Sequence, residues 1–295
     1  MSNTEPVQKP RIGWIGLGVM GGSMAARLMN AGYPLSIYNR TKSKCASLLA
    51  QGAIWRENPA ALARNTDIII TMVGYPSDVE QVYLEPTGIL ENACKGSTVI
   101  DMTTSKPSLA KRIYETAKTH GLNALDAPVS GGDVGARDGT LSIMVGGDQA
   151  VYDTMLPVFK AMGKTIVRQG DAGAGQHTKM CNQIAIAANI MGVCESLAYA
   201  KRAGLDPETV LHSIGGGGAA SWQLAAYAPR ILKGDYSPGF YIKHFLKDMR
   251  IALEEAEAMN LHTPALALSK SLYEKLSAKG LDDEGTQALF RLYQP

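Results

Sequence analysis

Lys179 stands three residues before Asn182 and four before Gln183 in the run Gly173-Ala174-Gly175-Gln176-His177-Thr178-Lys179-Met180-Cys181-Asn182-Gln183. On a helix these three side chains and Ile186 share one face, at i, i+3, i+4 and i+7. An ammonium group on an otherwise apolar face suits proton donation to a developing alkoxide. In the opposite direction the neutral amine serves as general base, and the two amides hold the lysine and a substrate hydroxyl. A second constellation is Asp126-Ala127-Pro128-Val129-Ser130-Gly131-Gly132. Ser130, Gly131 and Gly132 offer a hydroxyl and consecutive backbone N–H groups, a cradle suited to a small carboxylate.

The third constellation is Gly16-Leu17-Gly18-Val19-Met20-Gly21. In this G-x-G-x-x-G spacing the first glycine permits a tight turn and the second lets backbone approach a pyrophosphate. The third lets helix and strand pack closely, and the helix N-terminus adds free N–H groups and positive partial charge. An NAD-binding chain usually places Asp or Glu at the end of the next strand, on the ribose 2′-hydroxyl. Here the sequence reads Asn39-Arg40-Thr41-Lys42. Arg40 can pair bidentately with a 2′-phosphate and stack on adenine, and Asn39 and Thr41 can donate hydrogen bonds. The expected cofactor is NADP(H), with NAD(H), held by weaker contacts, as the alternative.

These groups need elements to position them. Strands are predicted at 11–16, 35–38, 67–72, 97–101, 123–126 and 142–145. Helical patterns lie between them at 21–30, 42–50, 77–83, 106–119 and 149–161. Strand–helix alternation implies βαβ units and a mostly parallel sheet. Near 168 the rhythm changes to one long apolar helix over about 175–203. Further helices follow, with breaks at 215–218, at Pro229 and at 237–239. The expected fold is α/β: a Rossmann-type, doubly wound N-terminal domain followed by an all-helical C-terminal domain, joined by a long interdomain helix. The expected boundaries are a polar tail at 1–10, the dinucleotide-binding domain at 11–170 and the helical substrate and oligomerisation domain at 171–295.

Composition narrows the function classes. With 29 Lys+Arg against 27 Asp+Glu, a net charge of +2 gives no electrostatic case for nucleic acid or a membrane surface. No uninterrupted apolar run reaches the roughly 18–20 residues of a membrane span. The first ten residues are polar and carry no apolar signal region, and the four cysteines show no C-x-x-C spacing. A cytoplasmic protein with reduced thiols is expected. The five histidines are scattered, so no metal site is expected. The segment IAIAANIMG reads as buried all round, more cover than a small helical domain supplies.

The sequence resembles the β-hydroxyacid dehydrogenase family. The resemblance runs from about 11 to 290. It rests on GLGVMG at 16–21, DMTTSKP at 101–107, DAPVSGG at 126–132, GTLSIMVGGD at 139–148, GAGQHTKMCNQ at 173–183 and the pair Lys247-Asp248. It implies that Lys179 is the catalytic lysine and that Ser130, Gly131 and Gly132 bind the substrate carboxylate. It further implies that Thr104 lies near the nicotinamide, Met72 and Val73 along the adenosine side, and Lys247 over the cofactor. Phe240 falls where the family often has an aromatic lining the substrate site. The Asn182-Gln183 pair resembles the 2-hydroxy-3-oxopropionate reductase branch, whereas the Asn39-Arg40-Thr41 turn resembles NADP-dependent glyoxylate and succinic semialdehyde reductases. The expected activity is hydride transfer between NADP(H) and a short carboxylate-bearing semialdehyde or β-hydroxyacid, in a homodimer or homotetramer built through the helical domain. Two alternatives stand beside it: a 3-hydroxyisobutyrate-type dehydrogenase running oxidatively, and a non-catalytic dinucleotide-binding module. Lys179 together with the Ser130–Gly132 loop weighs against the second.

Overall fold

The computed structural model describes residues 9–294. The chain divides into two compact units, 1–179 and 180–295. The first contains β1 (Ile12–Ile15), α1 (Val19–Asn30), β2 (Leu35–Tyr38), α2 (Ala46–Ala50), β3 (Ile54–Trp55), α3 (Pro59–Ala63), β4 (Ile68–Thr71), α4 (Pro76–Leu84) and β5 (Thr98–Asp101). It continues with α5 (Pro107–Thr119), β6 (Asn123–Asp126), β7 (Val129–Ser130), α6 (Gly132–Asp138), β8 (Leu141–Gly147), α7 (Gln149–Lys160) and β9 (Gly163–Gly170).

The strands form one sheet in the order β3-β2-β1-β4-β5-β6-β8-β7, with β9 paired to β8. The six strands from β3 to β6 run parallel, and β8 is antiparallel to both β6 and β7. Chain order reverses across β1, between β2 and β4, so the glycine-rich turn leaves the sheet at its switch point. The central strands β1, β4 and β5 are buried along their whole length, as a sheet covered on both faces requires. Their period-2 alternation divides the core. Ile12, Trp14, Ile68 and Ile70 pack with Met24, Leu28 and Phe159 on one face. Ile15 and Ile69 pack with Leu62, Tyr83, Val99 and Ile113 on the other.

The doubly wound, mostly parallel sheet followed by helices agrees with expectation. Five elements were not anticipated: β3, β7, β9, α3 and α6. β3 and β7 have two residues each, too few to show a period. α3 is legible only from its cap, where Asn58 accepts from the Ala61 N–H at 2.7 Å with Pro59 opening the helix.

Helix α8 (Ala174–Arg202) runs on into the second unit, which adds α9 (Pro207–Ile214), α10 (Trp222–Leu232), α11 (Ile242–Ala258) and α12 (Pro264–Ser277). No break occurs at Pro229: α10 continues through it, at the cost of one internal hydrogen bond. Nor is α8 buried all round. Cys181, Ala185, Ala188, Gly192 and Tyr199 form an exposed stripe, while Ala187, Ile190, Cys194 and Leu197 enter the helical core. Among the described helices α8 alone is long and apolar enough to span a membrane, with a mean hydropathy of 1.2 over 18 residues. Of that window 44% is buried inside the protein.

The helical core holds Phe245, Phe290 and Tyr273, all essentially inaccessible. The Tyr273 hydroxyl donates to the Thr286 carbonyl at 2.6 Å, tying α12 to the C-terminal 3₁₀ segment, Thr286–Tyr293. Tyr273→Phe keeps the ring and removes the donor from a buried carbonyl. It should lower stability by about 1–2 kcal/mol, read as a shift of the urea midpoint with an unchanged slope.

Candidate active site

The glycine turn is held by three donors. The Trp14 indole donates to the Gly16 carbonyl at 2.9 Å, the Gly16 N–H to the Tyr38 carbonyl at 3.1 Å and the Leu17 N–H to Asn39 Oδ1 at 2.9 Å. Gly16 has φ +96°, and a Cβ there would strike the Met72 carbonyl; at Gly21 it would strike the Gly16 carbonyl. At Gly18 a Cβ would meet nothing within 4 Å, so this residue faces open space. Gly18 caps α1 without a side-chain bond, and no acidic residue stands in the first turn of Val19, Met20 and Gly21. These features fit a dinucleotide pyrophosphate: backbone amides and a helix N-terminus with room in front and no competing carboxylate.

Asn39 spends its side chain locally, since its Nδ2 donates to the Thr41 carbonyl at 2.8 Å. Thr41, exposed, starts a 3₁₀ turn. Arg40 is 74% exposed, and its guanidinium meets Asp78 Oδ1 of α4 at 2.9 Å. Met72 and Val73 follow β4. The Met72 N–H donates to the Ile15 carbonyl at 2.9 Å and the Val73 N–H to Thr103 Oγ1 at 3.0 Å.

Two buried carboxylates, paired in register, end β5 and β6. Asp101 Oδ1 accepts from the Thr71 hydroxyl at 2.8 Å and the Thr103 N–H at 3.1 Å. Burial pushes its carboxyl up to about 6 against the pull of these donors. Asp126 accepts the Gly173 N–H at 2.7 Å on one oxygen and the Gln176 N–H at 2.8 Å on the other. Burial raises this carboxyl too, and the amides of the helix start draw it back. Gln176, fully buried, donates from Nε2 to the Thr103 carbonyl at 2.7 Å and accepts the Ser105 N–H at 2.9 Å. The first turn of α8 is thus bonded to the ends of β5 and β6. Lys179 follows one turn later, 7% exposed. Thr104 is half-buried in the bonded 103–105 segment.

Ser130 pairs with Ser142 in the antiparallel β7–β8 ladder. Gly131 and Gly132 have φ +129° and +64°, a backbone turn that side chains resist, and Gly132 faces open space.

In the helical unit Asn182 donates to Gln183 Oε1 at 2.7 Å, and Gln183 donates to Asp248 Oδ2 at 2.6 Å. Lys247 Nζ lies 2.9 Å from Asp248 Oδ1. Gln183 and Asp248 are buried and the Lys247 side chain is 12% exposed. The chain of amide, amide, carboxylate and ammonium gives Gln183 one fixed orientation. His244, one turn before Lys247, is held below the usual imidazole range, first by burial and then by the Lys247 charge. Phe240 is half-buried, with its ring 5.5 Å from that of core residue Phe245.

Residues 11–170 match the family described as the NAD-binding domain of 6-phosphogluconate dehydrogenase. Residues 173–293 match the family described as NAD-binding of NADP-dependent 3-hydroxyisobutyrate dehydrogenase. An uncharacterized oxidoreductase of Bacillus subtilis, YkwC, is 58% identical over 97% of this chain and 99% of its own. The 2-hydroxy-3-oxopropionate reductase of Escherichia coli is 40% identical over 92% of each chain. A solved 3-hydroxyisobutyrate dehydrogenase of Mycobacterium tuberculosis, with L-serine, superposes with a TM-score of 0.89 at 28% identity, covering 97% of this chain and all of that one. The chain belongs to the β-hydroxyacid dehydrogenase family.

This dehydrogenase is therefore an NAD(P)-dependent oxidoreductase acting on a hydroxyl group. Four of its polar residues carry structural weight that the sequence reading did not assign: Asp78, Asp126, Gln176 and Asp248. Asp126, Gln176 and Asp248 stand within the motifs at 126–132, 173–183 and 247–248, and that was the available signal.

Asp101 binds its proton more tightly in the folded chain than in the unfolded one, where its value is near 3.8. Its contribution to stability therefore falls as pH rises from about 4 to about 6, then levels off. Asp101→Asn keeps an acceptor for Thr71 and Thr103 and removes the titration. The variant should lose less stability than the parent between pH 4.5 and pH 7, by up to about 2 kcal/mol. Urea unfolding at both pH values measures this, and parallel pH trends would contradict it.

Proposed function

We propose that the enzyme reduces short carboxylate-bearing semialdehydes with NADP(H), with Lys179 as the general acid. The observation that carries this reading is the buried Lys179, one helical turn beyond the bonds to Asp126 and Gln176. An ammonium so placed donates its proton at Nζ to the oxygen of a forming alcohol, and the amine takes it back in the oxidative direction. The Ser130 hydroxyl and the N–H groups of Gly131 and Gly132 bind the substrate carboxylate and orient its carbonyl. Asn182 and Gln183 hold the lysine and a substrate hydroxyl, with Gln183 oriented by Asp248. Gly16 to Gly21 bind the pyrophosphate, and Arg40, with Asn39 and Thr41 shaping its turn, reads the 2′-phosphate. Met72, Val73, Thr104 and Lys247 complete the cofactor's surroundings, and Phe240 bounds the substrate. When bound, the nicotinamide supplies or takes up the hydride.

Support for NADP(H) comes from the β2 end, where no carboxylate occurs in sequence and an exposed arginine does. Support for the substrate class comes from the Escherichia coli relative, a 2-hydroxy-3-oxopropionate reductase. NADPH oxidation measured over glyoxylate, succinic semialdehyde, tartronate semialdehyde and methylmalonate semialdehyde tests it. At least one substrate should turn over with clear preference for NADPH, and a strong NADH preference would refute the cofactor assignment. Lys179→Ala should lower kcat by about 10²–10⁴-fold while the NADP(H) dissociation constant stays nearly unchanged. Normal turnover in that variant would remove the lysine from the mechanism.

The same reading includes a homodimer or homotetramer built through the helical domain and a cytoplasmic location. The exposed stripe of α8, ending at Tyr199 with 74% exposure, supports the first, and free cysteines support the second. Light scattering should give at least twice the chain mass, and Ala188→Arg on the stripe should lower it. A wild-type monomer would sink the assembly.

A further inference from the structure

The end of β2 lacks a carboxylate in sequence, yet the fold delivers one there from a residue 38 positions after Arg40. We propose that Asp78 sets the strength of the enzyme's preference between a 2′-phosphate and a 2′-hydroxyl, acting as a resident competitor for the Arg40 guanidinium. The inference rests on the NADP(H) reading above.

The two partners are unequally anchored. The Asp78 side chain is 14% exposed, and its Oδ2 accepts the Tyr75 N–H at 3.1 Å as part of the capping box that opens α4. That carboxylate cannot leave without uncapping the helix. Arg40 is 74% exposed and touches Asp78 through one guanidinium nitrogen, at 2.9 Å. Its place is fixed from the other side: Asn39, its neighbour, is bonded to the Leu17 N–H of the glycine turn. Arg40 therefore sits beside the pyrophosphate site, with its remaining N–H donors turned to solvent or to a ligand.

A dianionic phosphate offers the guanidinium a bidentate, charge-assisted pair, stronger than an exposed single contact to a carboxylate. A 2′-phosphate at Arg40 must still either displace Asp78 or share the guanidinium with it, at close range to a like charge. A 2′-hydroxyl meets neither obstacle and can donate to the carboxylate. The Asp78 charge thus weakens binding of the phosphorylated cofactor and does not weaken that of the unphosphorylated one.

The test is isothermal titration of the full chain with NADP⁺, NAD⁺, 2′,5′-ADP and 5′-AMP. Asp78→Asn keeps an acceptor for the Tyr75 N–H and removes the charge. It should tighten NADP⁺ and 2′,5′-ADP by about two- to five-fold and should not tighten NAD⁺ or 5′-AMP. Arg40→Ala should weaken the phosphorylated pair by roughly 10-fold or more, and Asp78→Asn should have no effect in its background. An unchanged or lowered preference in Asp78→Asn, with Arg40→Ala behaving as stated, overturns the proposal and leaves the NADP(H) reading standing. An Arg40→Ala chain that binds NADP⁺ as before overturns both. Asp78→Ser, which also retains a capping oxygen, serves as the second neutral variant if the asparagine disturbs α4.

Discussion

The site hangs on one anion. Asp126, at the end of β6, receives the N–H groups of Gly173 and Gln176 on its two oxygens and so caps the start of a 29-residue helix. A buried carboxylate is costly, and here the cost is offset by two backbone donors and the positive end of the helix dipole. The same turn is bonded a second time, because Gln176 uses its donor on Thr103 and its acceptor on Ser105. Rotation of α8 about its own axis would break both sets of bonds at once. Lys179 follows three residues further along the same helix, so its backbone inherits that fixity. Gly175 belongs to the same constraint: a Cβ there would strike the Met144 carbonyl, so the helix can approach the strand ends only with glycine at this place.

A polar row continues from that anchor along the carboxyl ends of the strands. Thr71, Asp101 and Thr103 are linked through Asp101 Oδ1, and Thr103 in turn accepts the N–H of Val73. The loops after β4 and β5 are therefore bonded to each other, and through Thr103 and Gln176 to α8. In an open α/β sheet, ligands bind at this edge, and burying carboxylates here gives rigidity at the expense of stability. Burial raises the Asp101 carboxyl, the direction such an expense produces. The tolerance of two such groups in adjacent register fits an edge held for function rather than for folding.

Much of this was legible in the sequence, and the failures share a physical cause. The glycine turn, the Ser130–Gly132 loop and the lysine-bearing helix are each contiguous, so local spacing reveals them. The bonds that position them are not contiguous. Asp126 lies 47 residues from Gly173, and Gln183 lies 65 from Asp248. No periodicity reports such a pair, and a buried Asp on a helix or strand looks in sequence like any other polar position. The Arg40–Asp78 pair is the sharpest instance. A search for a carboxylate at the end of β2 ends at residue 42, whereas the carboxylate arrives from the start of α4. Helix α8 failed in a different way. Its alanines and glycine are apolar enough to read as buried, yet small residues gain little from burial and tolerate exposure, so composition could not separate its core face from its exposed stripe.

Two modes of positioning meet on α8. At its start, strand-end groups fix the backbone that carries Lys179. One turn further on, the side chains themselves are fixed: Asn182 orients Gln183, Asp248 accepts from Gln183, and Lys247 balances the Asp248 charge. The second mode suits residues that must present a defined hydrogen-bonding edge, because a carboxamide can be turned end for end with no change in shape. With its donor committed to Asp248 and its acceptor to Asn182, Gln183 has one orientation. An ammonium presents equivalent donors in three directions, so no end-for-end ambiguity of this kind arises for Lys179. One continuous helix thus carries both a backbone fixed at its first turn and a carboxamide edge fixed one turn beyond the lysine.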